Sequence, residues 1–409
     1  MKLLPQVEPR HRVLFYPMLA SFVLFGLNLA VTGAVVPKIV RDFRWSYTAT
    51  GVVLAAGSVG YFVSTFLCGV LVRHFGPRRV IAGGLLVQAT GLSLFAATPN
   101  VAFNVLTKLL VGGGAGGTEV VVNYAVLRME RAGHSRLMNL MHAAFSVGAI
   151  LSPLALEGLV ALGAGWRLMF RLMAGVAVGM AVLMALLPFR RLRDGDEAAG
   201  DEPPILELLR RPLLILCFLI LLVYVGAEVG VSSWVGEYYV AVLNAPPRAG
   251  SMMVSIFWGG LLAGRLGVSI AYHGTHHVRL LTALGLLCTA ALPAALWTGS
   301  PWAAGAGFFL TGVGYSAVYP LVMSMVGRHF ARGQSVAVGF AGAGGAIGAL
   351  VIPFAVAAAA DRVGLHGAFF LYVAINGVLL GLVLAVIPFV RKARGLGGAG
   401  KRAARKRAR

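Results

Sequence analysis

Long apolar blocks limit what this chain can fold into. The run from Pro212 to Val242 begins PLLILCFLILLVYV, and blocks of similar length recur from end to end. A helix needs about 20 apolar residues to cross the hydrocarbon core of a bilayer. Outer-membrane barrels instead use ~10-residue segments that alternate polar and apolar, and no such pattern occurs here. Composition agrees: the chain is 58% hydrophobic and 12% charged, where soluble domains run near ~45–50% and ~25%. These features predict an all-α integral membrane protein.

Hydropathy places twelve spans near 13–37, 48–72, 79–97, 101–127, 137–163, 168–189, 212–242, 249–272, 278–298, 301–326, 334–360 and 364–390. The apolar run behind the short basic N-terminus is too long for a signal-peptide core, so it counts as the first span. With the N-terminus inside, about 26 of the 35 Lys and Arg residues fall on cytoplasmic segments, about 7 outside and about 2 within spans. The expected protein crosses the cell membrane many times, with both termini cytoplasmic. The net charge of +21 is carried largely by loops and by the tail KRAARKRAR. That distribution predicts contact with anionic lipid and no nucleic-acid partner. One expected outside loop, Lys38 to Arg44, is basic against the rule. Cys68, Cys217 and Cys288 lie inside apolar blocks and are expected as packing residues without a disulfide.

The chain also repeats itself at an offset of 200 residues. Gly112 and Gly114 meet Gly312 and Gly314; Gly26, Gly60 and Gly148 meet Gly226, Gly260 and Gly348. Arg128, Gly133, Ser135 and Pro153 meet Arg328, Gly333, Ser335 and Pro353. Shared Gly and Pro positions mean shared backbone needs, such as close helix contacts and kinks. Six spans per repeat give both halves the same orientation. The expected organisation is a six-helix bundle over 1–189, a polar cytoplasmic linker over 190–211, a second bundle over 212–390 and a basic tail over 391–409.

Two six-span halves joined by a polar linker resemble the major facilitator superfamily over nearly the whole chain. The loop GVLVRHFGPRRV (69–80) is similar to that superfamily's G-x-L-x-D-R-x-G-R-R signature. Gly69, Leu71, Gly76, Arg78 and Arg79 keep the pattern, and Arg73 stands where the family has Asp. The counterpart SIAYHGTHHVR is weaker. A narrower resemblance rests on GGGAGGTEVVVNYAV in span four, SRLMNLMHAAFSVGAILSP opening span five and YVGAEVGVSSW in span seven. Together they look like the fucose:proton symporter branch and the glucose-transporter-like proteins. That resemblance implies a central cavity lined by spans one, four, seven and ten, with a coupling glutamate at Glu119.

Charges at membrane depth are costly and mark ion or solute paths by default. Glu119 has Asn123 on the same helical face four residues on. Glu228 pairs by the repeat with Asn28, so both halves place a polar group at one position. The alternative for Glu228 is a structural pair with Arg265. The same offset sets Tyr319 opposite Glu119, and Tyr315 and Tyr319 share span ten, which Pro320 should kink. Trp234 and Trp258 are candidates to stack on a solute or to pack. The expected solute-binding set is therefore Asn28, Glu119, Asn123, Glu228, Trp234, Tyr315 and Tyr319, with ion coupling through Glu119 or Glu228. Gln88, Asn139, His142, Trp258 and Arg265 form a second tier. Lys108 and Glu157, at equal depth on antiparallel neighbours, are expected to neutralise each other.

No phosphate-binding loop and no nucleophile–base arrangement is present, so neither an ATP-driven pump nor an enzyme is expected. No cofactor is implied. The His273, His276 and His277 cluster lacks Cys or acid neighbours, so no metal is expected. The predicted function is a secondary transporter, working as a monomer, for a small polar solute such as a sugar, coupled to a proton or sodium. An exporter of amphipathic drugs or lipids and a non-transporting sensor are the alternatives.

Overall fold

A computed structural model describes residues 9–129, 136–189, 207–208, 210–272, 277–330 and 334–407. Most of the linker, the loop holding His273 and His276, and the side chains of Asn139 and of the basic tail lie outside the described residues. All described secondary structure is helical: α1 Pro9–Phe43, α2 Tyr47–Phe75, α3 Pro77–Leu94, α4 Val101–Met129, α5 Arg136–Ala161 and α6 Arg167–Leu186, then α7 Pro212–Ala241, α8 Pro247–Ala271, α9 His277–Trp297, α10 Pro301–Tyr315, α11 Val318–His329 and α12 Gln334–Arg407.

Ten segments are long and apolar enough to cross a membrane. Reaching twelve crossings takes two further steps: counting α3, and dividing the 55-residue segment Val336–Val390. Gly364 supplies the division, because its φ of 75° lies outside helical geometry. The expected tenth span is itself two helices. Pro320 has no N–H and its ring clashes with the carbonyl four residues back, which belongs to Ser316. The chain breaks there, with α10 ending at Tyr315 and α11 starting at Val318.

The 200-residue offset appears as contacts in space. A Cβ built on Gly112 would overlap the Gly57 carbonyl oxygen, and one on Gly312 would overlap that of Phe257. Gly60 meets Leu109 O as Gly260 meets Phe309 O. Gly114 meets Gly84 and Gln88 as Gly314 meets Leu284 and Cys288. Arg44 and Asn244, also 200 apart, both take positive φ, 54° and 51°. The span-four glycine run is therefore a packing surface that brings α4 backbone-to-backbone with α2 and α3, with van der Waals contact replacing the hydrophobic drive that lipid does not supply.

Gly112→Ala is expected to lower the unfolding midpoint in detergent, by about 1–3 kcal/mol of overpacking. Gly117→Ala has nothing within 4 Å of its new methyl group and should be neutral or stabilising by up to ~1 kcal/mol. Equal midpoints for the two variants would contradict the contact.

Large apolar side chains also face outward, including Phe66, Leu186, Ile270 and Trp302. In water such a surface would drive association; around a bundle of this length it is the lipid face.

Candidate functional site

Mid-membrane carboxylates sit in two separate clusters. Glu119, on α4, accepts a hydrogen bond at Oε2 from the Tyr61 hydroxyl of α2. Asn123 Nδ2 donates to Oε1 at 3.4 Å. Tyr61 is held in place by stacking on Phe25 of α1, with ring centroids 6.1 Å apart and planes 3° from parallel. Tyr319, from α11, lies within electrostatic range of the Glu119 carboxylate. Beside that carboxylate is a small cavity lined by Ser21, Phe22 and Phe25 of α1, Gln88 of α3 and Thr118 of α4. Gln88 is buried and its Nε2 has no hydrogen-bond partner. No Lys or Arg among the described residues pairs with Glu119.

Glu228, on α7, belongs to the second cluster. Its Oε1 lies 4.0 Å from Nη2 of Arg265 on α8, and Tyr224 lies within electrostatic range of it. The arginine has other work. Its Nε donates to the Ser316 carbonyl at 3.1 Å, the oxygen that Pro320 leaves without its helical partner. Nη1 donates to Ser146 Oγ of α5 at 2.8 Å. Arg265 thus ties α8 to the broken helix and to α5 at once. His142 is one turn from Ser146 and feels the same arginine.

The remaining expected residues are placed as follows. Asn28 is buried, with no partner for Oδ1. Trp234 is fully buried, edge-on to Tyr47 with centroids 5.7 Å apart. Trp258 is fully buried and donates to Ser232 Oγ at 2.8 Å. Tyr315 is fully buried and donates to Asn376 Oδ1 at 2.7 Å. In this conformation both Trp258 and Tyr315 have their polar atoms engaged. Glu119, Asn123, Gln88 and Tyr319 are brought together; Glu228 and Arg265 are brought together with His142.

One expected pair is corrected. Lys108 does not meet Glu157. Its Nζ donates to Thr32 Oγ1 at 2.9 Å and lies 4.6 Å from the Phe95 ring centroid. Glu157 is paired instead with Lys38, at 2.6 Å. Lys108 faces α1, the end of α3 and α6, and not α5. The same finding accounts for Lys38 in the basic segment Lys38 to Arg44, while Arg41 and Arg44 are exposed. Helix α1 runs on through Pro37 to Phe43, so Lys38 is buried inside the bundle, not in a loop.

Lys38 also introduces residues that the sequence reading missed. Its Nζ donates to Ser251 Oγ of α8 at 3.0 Å. Nearby, Tyr47 of α2 donates through its hydroxyl to Glu237 Oε1 of α7 at 3.1 Å. Asp361 of α12 accepts from the backbone N–H groups of Tyr47 and Thr48 at 2.9 and 2.8 Å. These N–H groups open α2 and have no helical acceptor of their own; a carboxylate there also meets the positive end of the helix dipole. All three ties join helices before the linker to helices after it, at one end of the bundle, and that end is closed. An acid inside the long apolar block of α7 was the available signal for Glu237. Asp361 gave none, because polar residues at helix ends are ordinary.

Asp361→Asn is expected to loosen this end, since hydrogen bonds to a charged group contribute about 1.5–3 kcal/mol. That corresponds to a roughly 10–100-fold shift toward conformations open here. Spin labels at positions 44 and 363 in a background without native cysteines should gain a longer-distance population. An unchanged distance distribution would remove Asp361 from the latch.

The family profile described as Major Facilitator Superfamily matches residues 18–304. The chain belongs to the major facilitator superfamily. It is 24% identical over 359 residues to Membrane protein MosC of Rhizobium meliloti, covering 88% of this chain and 86% of that one. It is 26% identical over 388 residues to the Glucose/galactose transporter of Brucella abortus, covering 88% and 92%. Among solved structures, a bacterial homolog of the human lysosomal transporter Spinster, inward-facing and occupied, superposes with a TM-score of 0.75 at 12% identity, covering 94% of this chain and 98% of that one. The all-helical, multi-pass membrane architecture is that of a major facilitator transporter, a family of carriers and not of enzymes. Arg73, which stands where the superfamily signature has Asp, lies exposed in the last turn of α2.

Proposed function

We propose that this transporter moves a small polar solute of the sugar class by alternating access, driven by a coupled cation. Residues 1–189 and 212–390 act as the two bodies that rock about the central helices. Solute contacts come from Asn28, Asn123 and Tyr319 together with the Glu228–Arg265 pair. Coupling runs through Glu119. The observation that carries this reading is the contrast between carboxylates. Among the described residues, Glu157 and Glu228 have cationic partners, whereas Glu119, at mid-membrane, has a tyrosine, an amide and a cavity. An uncompensated charge at that depth needs a mobile counter-charge. Glu237 too has no cationic partner among the described residues, but it lies four residues from the end of α7 and belongs to the closed end. Similarity to a protein named as a glucose/galactose transporter supports the solute class.

If the termini are cytoplasmic, the closed end is the outer one and the conformation faces inward. The test is counterflow in proteoliposomes. Loading with unlabelled glucose or galactose should drive transient accumulation of the labelled sugar. Accumulation displaced by lipophilic cations and indifferent to sugars would instead support an exporter of amphipathic compounds. No transport of either class would defeat the transporter reading.

A further inference from the structure

We infer that Trp234 and Glu237 of α7 form a second sugar subsite, on the solute's path at the closed end, and that Tyr47 of α2 occupies it in this conformation. This rests on the sugar reading of the solute and adds a contact point apart from the central ones. At 1.5 Å of rise per residue, Trp234 and Glu237 lie about 9 and about 14 Å beyond Glu228 along α7. Three residues apart, they share one face of that helix.

Tyr47 meets both at once. Its hydroxyl donates to Glu237 Oε1 at 3.1 Å, and its ring stands edge-on to the Trp234 indole, with centroids 5.7 Å apart and planes at 84°. Glu237 is buried; among the described residues no cation pairs with it, and Tyr47 is the one side chain that donates to its carboxylate. Trp234 is fully buried, and its N–H has no acceptor, which costs free energy in the closed state. Tyr47 belongs to the half before the linker and α7 to the half after it, so opening this end parts them. A carboxylate and an indole are then left one turn apart with their common partner gone.

That combination has a chemical match. A carboxylate accepts hydroxyl hydrogens, more strongly than a neutral acceptor does, and an indole packs against an apolar face. A pyranose carries both, a ring with C–H faces and a rim of hydroxyls. Tyr47 presents the same two elements, a six-membered ring and a hydroxyl, from the protein itself. It therefore competes with the solute: sugar on the subsite holds the end open, and closure replaces sugar by tyrosine and sends the solute on toward the central contacts. A neutral hydroxyl is what the carboxylate takes in the closed state, which favours a neutral polyhydroxylated ligand over an organic ammonium ion.

The test is equilibrium binding of radiolabelled galactose to the purified full-length protein. Wild type, with Tyr47 on the subsite, should bind one molecule per chain, at the central contacts. Tyr47→Ala should bind two. Glu237→Leu or Trp234→Leu in the Tyr47→Ala background should return the count to one. Should Tyr47→Ala fail to fold, Asp361→Asn unlatches the same end with the phenol intact and should reveal the second molecule. A single molecule per chain in both Tyr47→Ala and Asp361→Asn would overturn the subsite and leave the central site standing. A second molecule that survives both leucine substitutions would overturn it as well. No binding by wild type, with one molecule bound by Tyr47→Ala and lost in Glu237→Leu, would leave the subsite standing and defeat the central sugar site. No galactose bound by any of these proteins would overturn both. A second site in Tyr47→Ala that takes choline and refuses galactose would overturn the sugar assignment.

Discussion

Glu119→Gln is expected to eliminate concentrative transport while sparing exchange. The substitution keeps the size of the side chain and an acceptor for the Tyr61 hydroxyl, but removes the charge. One elementary charge crossing a 100 mV potential releases about 2.3 kcal/mol. At about 1.4 kcal/mol per factor of ten, that sustains a roughly 50-fold solute gradient when one cation accompanies a neutral solute. Without the carboxylate the accumulation ratio should fall to about 1. Solute-for-solute exchange needs no net cation movement, so it should remain within a few-fold of wild type. Both rates are read from the same vesicles, with and without an imposed gradient. An accumulation ratio that stays high in Glu119→Gln would remove this residue from coupling and move attention to Glu228.

Glu228→Gln is expected to behave differently because Arg265 stands beside it. Arg265 already holds the Ser316 carbonyl and Ser146, so losing the carboxylate unbalances a charge that organises α5, α8 and the α10–α11 break. Solute affinity should fall while the accumulation ratio, measured at saturating solute, survives. Collapse of that ratio at unchanged affinity would assign coupling to Glu228.

What the sequence made legible follows from which physics is one-dimensional. Membrane-spanning length is a property of a run of residues, so the helical spans were readable. The repeat was readable because glycine positions record backbone contacts directly: Gly112 and Gly312 can be matched in the sequence, and their neighbours Gly57 and Phe257 stand 200 apart in the structure. Depth is nearly one-dimensional too, which is why Lys108 and Glu157 could be placed at one level. Facing is not. A helix turns about 100° per residue, and which side of α4 meets α5 depends on the packing of the whole bundle. Lys38 was hidden for a related reason. A basic segment behind Pro37 reads as the start of a loop, yet Pro37 sits inside α1, which continues to Phe43. Glu119 with Asn123 was found because their spacing is local. Its partner Tyr61 and its cavity neighbour Gln88 come from other helices, and only Gln88 stood out in the sequence, as an amide in an apolar run.

The corrected ion pair carries the second large expectation. Lys38 and Glu157 are both buried, joined at 2.6 Å, and the lysine also donates to Ser251. Removing one partner of a buried pair leaves the other charge uncompensated, which typically costs about 3–5 kcal/mol. Lys38→Met alone or Glu157→Gln alone should therefore destabilise the protein by about that amount. Replacing both by apolar residues of similar volume should recover most of the loss, since the desolvation of two charges is avoided along with their attraction. The double variant Lys38→Met/Glu157→Leu is the informative one, measured by thermal unfolding in detergent beside the two single variants. Its stability should approach wild type, with a coupling energy of several kcal/mol between the positions. Ser251 adds a second readout. It accepts from Lys38 and donates to the Ala34 carbonyl, so the lysine also helps hold α8 against α1 at the closed end. The double variant should thus be stable yet more often open there, which the label pair at positions 44 and 363 reports. A double variant no more stable than either single one would mean that the two charges are solvated independently, and the pair would then hold neither the fold nor the gate.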